Sequence, residues 1–228
     1  MADEVPITDG GQAEVSEHAE GLVPGWLAIT VLLLMLAVAA LGGFLVRGLL
    51  VNDRPGPRTP SQYAVAEWQR QVDADPSDPD ALIGLGYAFQ EEGRYEEALA
   101  AYAAALELAP GNTGALYNTG IVYLELGRGA EAEETLWDVL EVAPDHVLAA
   151  KALGEYYTAK GQYKSALVAL EPVIEVRPQY ADLQYLAGNA CEQLGITDTA
   201  IEYYRGALTY HPDHLEAREA LDRLGAQE

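Results

Sequence analysis

Residues 79–110 read PDALIGLGYAFQEEGRYEEALAAYAAALELAP, and this pattern is written four times between Pro79 and Pro212 at an offset of 34 residues. Pro110, Pro144, Pro178 and Pro212 stand 34 apart. So do Gly86, Gly120, Gly154 and Gly188, then Gly93, Gly127, Gly161 and Gly195, then Ala98, Ala132, Ala166 and Ala200. A fixed period in the range of about 20–50 residues marks a solenoid of stacked supersecondary units. Within the first copy, Ala81, Leu82, Leu85, Gly86 and Phe89 recur three and four apart, which is one face of a helix. Gly93 breaks that helix. Tyr95, Ala98, Leu99, Tyr102, Ala105 and Leu106 make a second face, and Pro110 stops it. The glycine and alanine columns suit places where two helix backbones approach closely. One helix pair cannot bury its faces alone, so neighbours must stack.

The residues Leu85-Gly86, Phe89, Gly93, Tyr95, Ala98, Tyr102, Ala105 and Pro110 return as Leu153-Gly154, Tyr157, Gly161, Tyr163, Ala166, Leu170 and Pro178. In spacing and residue type together, residues 79–212 resemble the tetratricopeptide repeat (TPR) family. Copy two departs with Thr119 and Gly129, and copy four with Ala187 and Cys191. The resemblance implies an all-α fold, a right-handed α-solenoid of TPR helix pairs. Expected helices run at 79–92 and 95–108, 113–126 and 129–142, 147–160 and 163–176, 181–194 and 197–210, with Pro172 kinking the sixth or freeing a carbonyl one turn earlier.

Outward from the repeats, Ala64, Trp68 and Pro76 lie 34 before Ala98, Tyr102 and Pro110, so residues 61–76 read as the second helix of an incomplete repeat. Residues 213–228 hold an amphipathic capping helix, with Leu215, Leu221 and Leu224 toward the stack. Residues 51–60 carry three prolines and form an extended linker. Before it, Trp26–Val46 runs for 21 residues without a charge, long enough to span a bilayer. One transmembrane helix within residues 26–50 (Trp26–Leu50) therefore precedes the solenoid. Ala39 and Gly43 on it form a small-xxx-small pair that can seat a second helix. Residues 1–25 hold six acids and no Lys or Arg, and read as a disordered tail. Arg47, Arg54 and Arg58 follow the span, so the positive-inside rule places the repeats in the cytoplasm of a single-pass cell-membrane protein. The alternative is an extracytoplasmic solenoid.

A formal net charge of −23 excludes nucleic acid as a natural partner. The acidity reads as a solvated surface, with a surface for a basic partner as the alternative. Cys191 is the only cysteine, so no intramolecular disulfide forms. Its place in a core column makes it a buried thiol. No phosphate loop, serine-nucleophile motif or paired zinc-ligand motif occurs, and no cofactor, metal or small-molecule substrate is expected. His211 and His214 flank Pro212 and read as structural rather than metal-binding.

The TPR resemblance implies instead a concave surface lined by the first helix of each repeat. The residues expected there, as a groove for a protein partner, are Tyr87, Tyr117, Asn118, Ile121, Leu148, Lys151, Glu155, Tyr185 and Asn189. TPRs that hold a chaperone tail use a basic, asparagine-rich clamp for its carboxylate. The matching columns here hold Ile83, Tyr87, Asn118, Leu148 and Ala152, so only Asn118 fits, and Lys151 is the lone cation. The expected function is a non-enzymatic, membrane-tethered scaffold that binds an extended peptide or helix. Two alternatives stand beside it. One is a structural subunit of a membrane complex. The other follows from similarity to anchored TPR proteins that hold the apocytochrome in cytochrome c maturation, with the repeats outside.

Overall fold

The computed structural model describes residues 59–226. The chain divides into two units, residues 1–57 and 58–228. The expected tail and transmembrane helix, and all but the last two linker residues, lie outside the described residues. Among the described residues no helix is long and apolar enough to cross a membrane.

Ten helices and no strands make up the described part: α1 (Pro60–Ala74), α2 (Pro79–Glu91), α3 (Tyr95–Leu108), α4 (Thr113–Glu125), α5 (Gly129–Val142), α6 (Val147–Ala159), α7 (Tyr163–Val176), α8 (Ala181–Gln193), α9 (Thr197–Tyr210) and α10 (Leu215–Arg223). Their ends have local causes. Gly93, Gly127, Gly161 and Gly195 all take φ between 69° and 76°, a left-handed conformation that costs a side chain about 1–2 kcal/mol. The residue after each glycine then donates its N–H back to the last turn, Arg94 to Phe89 O at 2.9 Å and Arg128 to Tyr123 O at 2.8 Å. At the opposite edge one column supplies the N-caps of the first helices. Asp78, Asn112, His146 and His214 each accept a backbone N–H from the first turn, while Tyr180 at the same position does not. Helix α7 runs on through Pro172, which is exposed, as is Val168 one turn before it.

The 34-residue period becomes packing through one repeated contact. A Cβ placed on Gly86 would stand 2.5 Å from the Tyr102 ring. Gly120 and Gly154 receive Leu136 and Leu170 in the same way, and Gly188 receives Tyr204. All four receiving side chains, and Ala98, Ala132, Ala166 and Ala200, are fully buried. Each second helix thus lies directly on its first. The largest core cluster runs without a break from Leu116 on α4 to Ala190 on α8. A separate cluster around Cys191, Tyr204 and Leu221 joins α8, α9 and α10.

Helix α1 packs on α2 as a second helix packs on the next repeat, and Trp68 lies against Gly84. Helix α10 packs on α9 as a first helix would. First helices also touch first helices, α2 with α4, α4 with α6 and, most closely, α6 with α8. Among the described residues no two second helices pack on each other to a comparable extent. The stack therefore curves with the first helices on its inner side.

Candidate functional site

The inner side is built from residues three and four apart on α4, α6 and α8, because positions so spaced share one helix face. Two adjoining hollows open along it. In the first, of about 380 Å³, Tyr117, Ile121 and Leu124 of α4 face Leu148, Lys151 and Glu155 of α6. The second, of about 370 Å³, continues across Lys151 and Glu155 to Asp182, Tyr185 and the start of α10, including His214 and Glu216. A third, of about 380 Å³, lies at the edge between repeats, where Leu148 and Lys151 meet Tyr180, Asp182, Tyr210 and His211.

Lys151 lines all three hollows. Its Nζ donates to Asp182 Oδ2 at 2.5 Å and stands 3.9 Å from Glu155 Oε1. The hydrogen bond with Asp182 raises the lysine pKa and lowers that of Asp182. The cation that the sequence offers to a partner is thus tied to a neighbouring helix. Its pairing leaves the groove acidic, with Glu125, Glu155 and Glu216 on the walls. Tyr117 and Tyr185 are half-buried, and that burial pushes both phenols up. Tyr117 packs its ring 5.5 Å from His146, and Tyr185 packs 5.2 Å from His214.

His214 is 7% exposed. Its Nδ1 caps α10, accepting the Ala217 N–H at 3.4 Å, and Glu216 Oε2 stands 3.2 Å from the same nitrogen. Nε2 makes no hydrogen bond, and Asp182 Oδ1 stands 3.7 Å away. The rings of His211 and His214 meet edge-on at 5.9 Å. Among the described residues no group of three or more His, Cys, Asp or Glu can hold a metal ion. Cys191 is buried, and burial raises its thiol pKa.

Of the expected groove residues, Tyr117, Ile121, Leu148, Lys151 and Glu155 come together in the first hollow, and Tyr185 joins Lys151 and Glu155 in the second. Tyr87 is exposed on α2, and Asn118 and Asn189 are half-buried on α4 and α8. None of these three lines the hollows described above. Asp182 and His214 were not expected in the groove. Both sit in 34-residue columns, Asp182 with Leu148 and His214 with His146, and the period alone places them at this edge.

Models of the tetratricopeptide repeat match residues 62–113, 89–155 and 151–214. The chain belongs to the TPR family. No curated protein matches it in sequence. Among solved structures it is similar to YrrB, described as a TPR protein with an unusual peptide-binding site, at a TM-score of 0.59 and 21% identity over 72% of this chain and 87% of that one. It is similar to MamA at a TM-score of 0.56 and 22% identity, over 70% of this chain and 84% of the other. MamA from Desulfovibrio magneticus RS-1, from residue 41 to its end, gives 0.58 and 20%, over 78% and 97%. At such identities the likeness is one of fold.

Proposed function

We propose that this TPR chain is a membrane-tethered, non-enzymatic scaffold that holds a polypeptide of a partner protein along α4, α6 and α8. The observation that carries the reading is the pair of adjoining hollows on the inner side, sharing Lys151 and Glu155. Tyrosine rings there supply contact area and a hydroxyl at small entropic cost, as Tyr117 and Tyr185 do on either side of Lys151. The peptide-binding site named for YrrB supports the same use of the fold. The tether rests on the uncharged run Trp26–Val46. Replacing Tyr117 and Leu148 together by alanine is expected to weaken capture of a partner at least tenfold while the circular dichroism and melting temperature stay close to those of the parent. Capture unchanged by the double variant would remove the groove from the function.

One observation favours a structural subunit of a membrane complex as the second reading. Leu108, Val142, Val176 and Tyr210 end the four second helices, 34 residues apart, and each is roughly half exposed or more. Single exposed apolar residues are ordinary, but a row in register along one edge offers a contact to a neighbouring subunit. Crosslinking in membranes separates the readings: a complex that persists when Leu108, Val142, Val176 and Tyr210 are all replaced by serine counts against the structural one.

A further inference from the structure

We propose that the hollow between α6, α8 and the start of α10 is the cation subsite of the groove and takes an arginine side chain of the bound polypeptide. The proposal rests on the groove reading and adds the chemistry of the occupant. The argument begins with charge. Glu155, Asp182, Asp213 and Glu216 bring four carboxylates to this hollow of about 370 Å³, and its single ammonium, Lys151, is already bound to Asp182. Glu155 and Glu216 are more than half exposed, so a ligand reaches them without prior desolvation of buried acids. The first hollow, one helix further along, offers Ile121, Leu124 and Leu148. The pair therefore matches a segment with an aliphatic side chain beside a cation.

Two further features select guanidinium. Tyr185 and His214 line the hollow with rings packed on each other, 5.2 Å between centres, and a planar guanidinium packs beside aromatic rings while forking onto carboxylates. An ammonium does only the second. The other feature is His214 Nε2, a ring nitrogen without a hydrogen bond on a side chain that is only 7% exposed and lines the hollow. A peptide group next to the arginine satisfies it, through its carbonyl where Nε2 carries the ring proton and through its N–H where Nδ1 does. A second copy of this chain is a poor occupant, since each copy carries −23 and the two repel.

The test is selection of a phage-displayed library of random twelve-residue peptides on the full-length chain, and in parallel on a Glu155→Gln/Glu216→Gln variant. Both replaced side chains are largely exposed, so the variant keeps the fold, and it keeps nearly all the overall negative charge. The expected result is a peptide family with arginine beside aliphatic residues on the parent, and loss of the arginine, not of the aliphatic residues, on the variant. A synthetic peptide of that family should bind the variant roughly five- to tenfold more weakly. The same arginine enrichment on both proteins would trace it to general attraction and overturn the subsite. Uncharged peptides whose binding Tyr117→Ala abolishes would leave the groove standing and remove the subsite. Absence of any enriched family would remove both.

Discussion

At the scale of single residues, the fold turns on what the glycines of the first helices exclude. Gly86 faces a tyrosine ring that is fully buried and whose hydroxyl donates to Gln90 Oε1 at 3.0 Å. A methyl group there must displace the ring and strain that bond. Overpacking of this kind costs about 1–3 kcal/mol. Replacing glycine inside a helix returns up to about 1 kcal/mol, so Gly86→Ala is expected to lower stability by about 1–2 kcal/mol net. Gly93→Ala should cost a similar amount for a different reason. Nothing stands within 4 Å of its position, but its φ of 70° strains any side chain. Urea denaturation of both variants checks the sizes, and Gly86→Ala alone should also perturb the near-ultraviolet signal of Tyr102. Stability equal to the parent in Gly86→Ala would show that the repeat does not depend on the close approach.

At the scale of elements, α10 closes the stack through a small polar cluster. Arg223 donates to both oxygens of Glu192 on α8, at 3.0 and 2.9 Å, and Tyr204 on α9 donates to the same carboxylate at 2.7 Å. The arginine bonds lead in holding the Glu192 pKa below its ordinary value of 4.5. The unfolded chain therefore binds more protons than the folded one in that window. The contribution is complete above about pH 4.5 and is lost as pH falls through the lower folded value. Arg223 is 56% exposed, so the pair is worth only about 1 kcal/mol despite its forked geometry. Arg223→Ala should cost that amount at neutral pH, speed amide exchange in α10 first, and flatten the acid limb of the stability curve. A parent-like acid limb in the variant would assign the acid response to other carboxylates. The helices of this stack were legible because glycine and proline punctuate every unit at one period, and Gly93, Gly127, Gly161 and Gly195 do end helices. The groove was legible only by column. That Lys151 is spent on Asp182, and that His214 is a buried cap beside Glu216, depends on how closely α6 approaches α8 and on where α10 begins. No spacing within one helix encodes either distance.

At the scale of the whole molecule, the proposed tether makes the side of the membrane that the repeats face decide which partners reach the groove. Arg47, Arg54 and Arg58 follow the uncharged run Trp26–Val46, and no lysine or arginine precedes it. Cations that close to a span are the ones that orient it, and they stay in the cytoplasm. The preceding segment carries six acids, which contribute little to orientation, so nothing in it opposes the arginines. Residues 59–228 are therefore expected on the cytoplasmic side and residues 1–25 on the other. The single native cysteine makes this simple to measure. Cys191 is 1% exposed and its thiol pKa is raised by burial, so it reacts slowly with thiol reagents. In intact cells a membrane-impermeant maleimide should label Ser16→Cys and spare Gln227→Cys, while lysis should open Gln227→Cys to the reagent and leave the parent unlabelled. The reverse pattern would place the solenoid outside the cytoplasm. It would overturn the cytoplasmic scaffold and favour a role in holding a secreted apoprotein, as in the anchored TPR proteins of cytochrome c maturation.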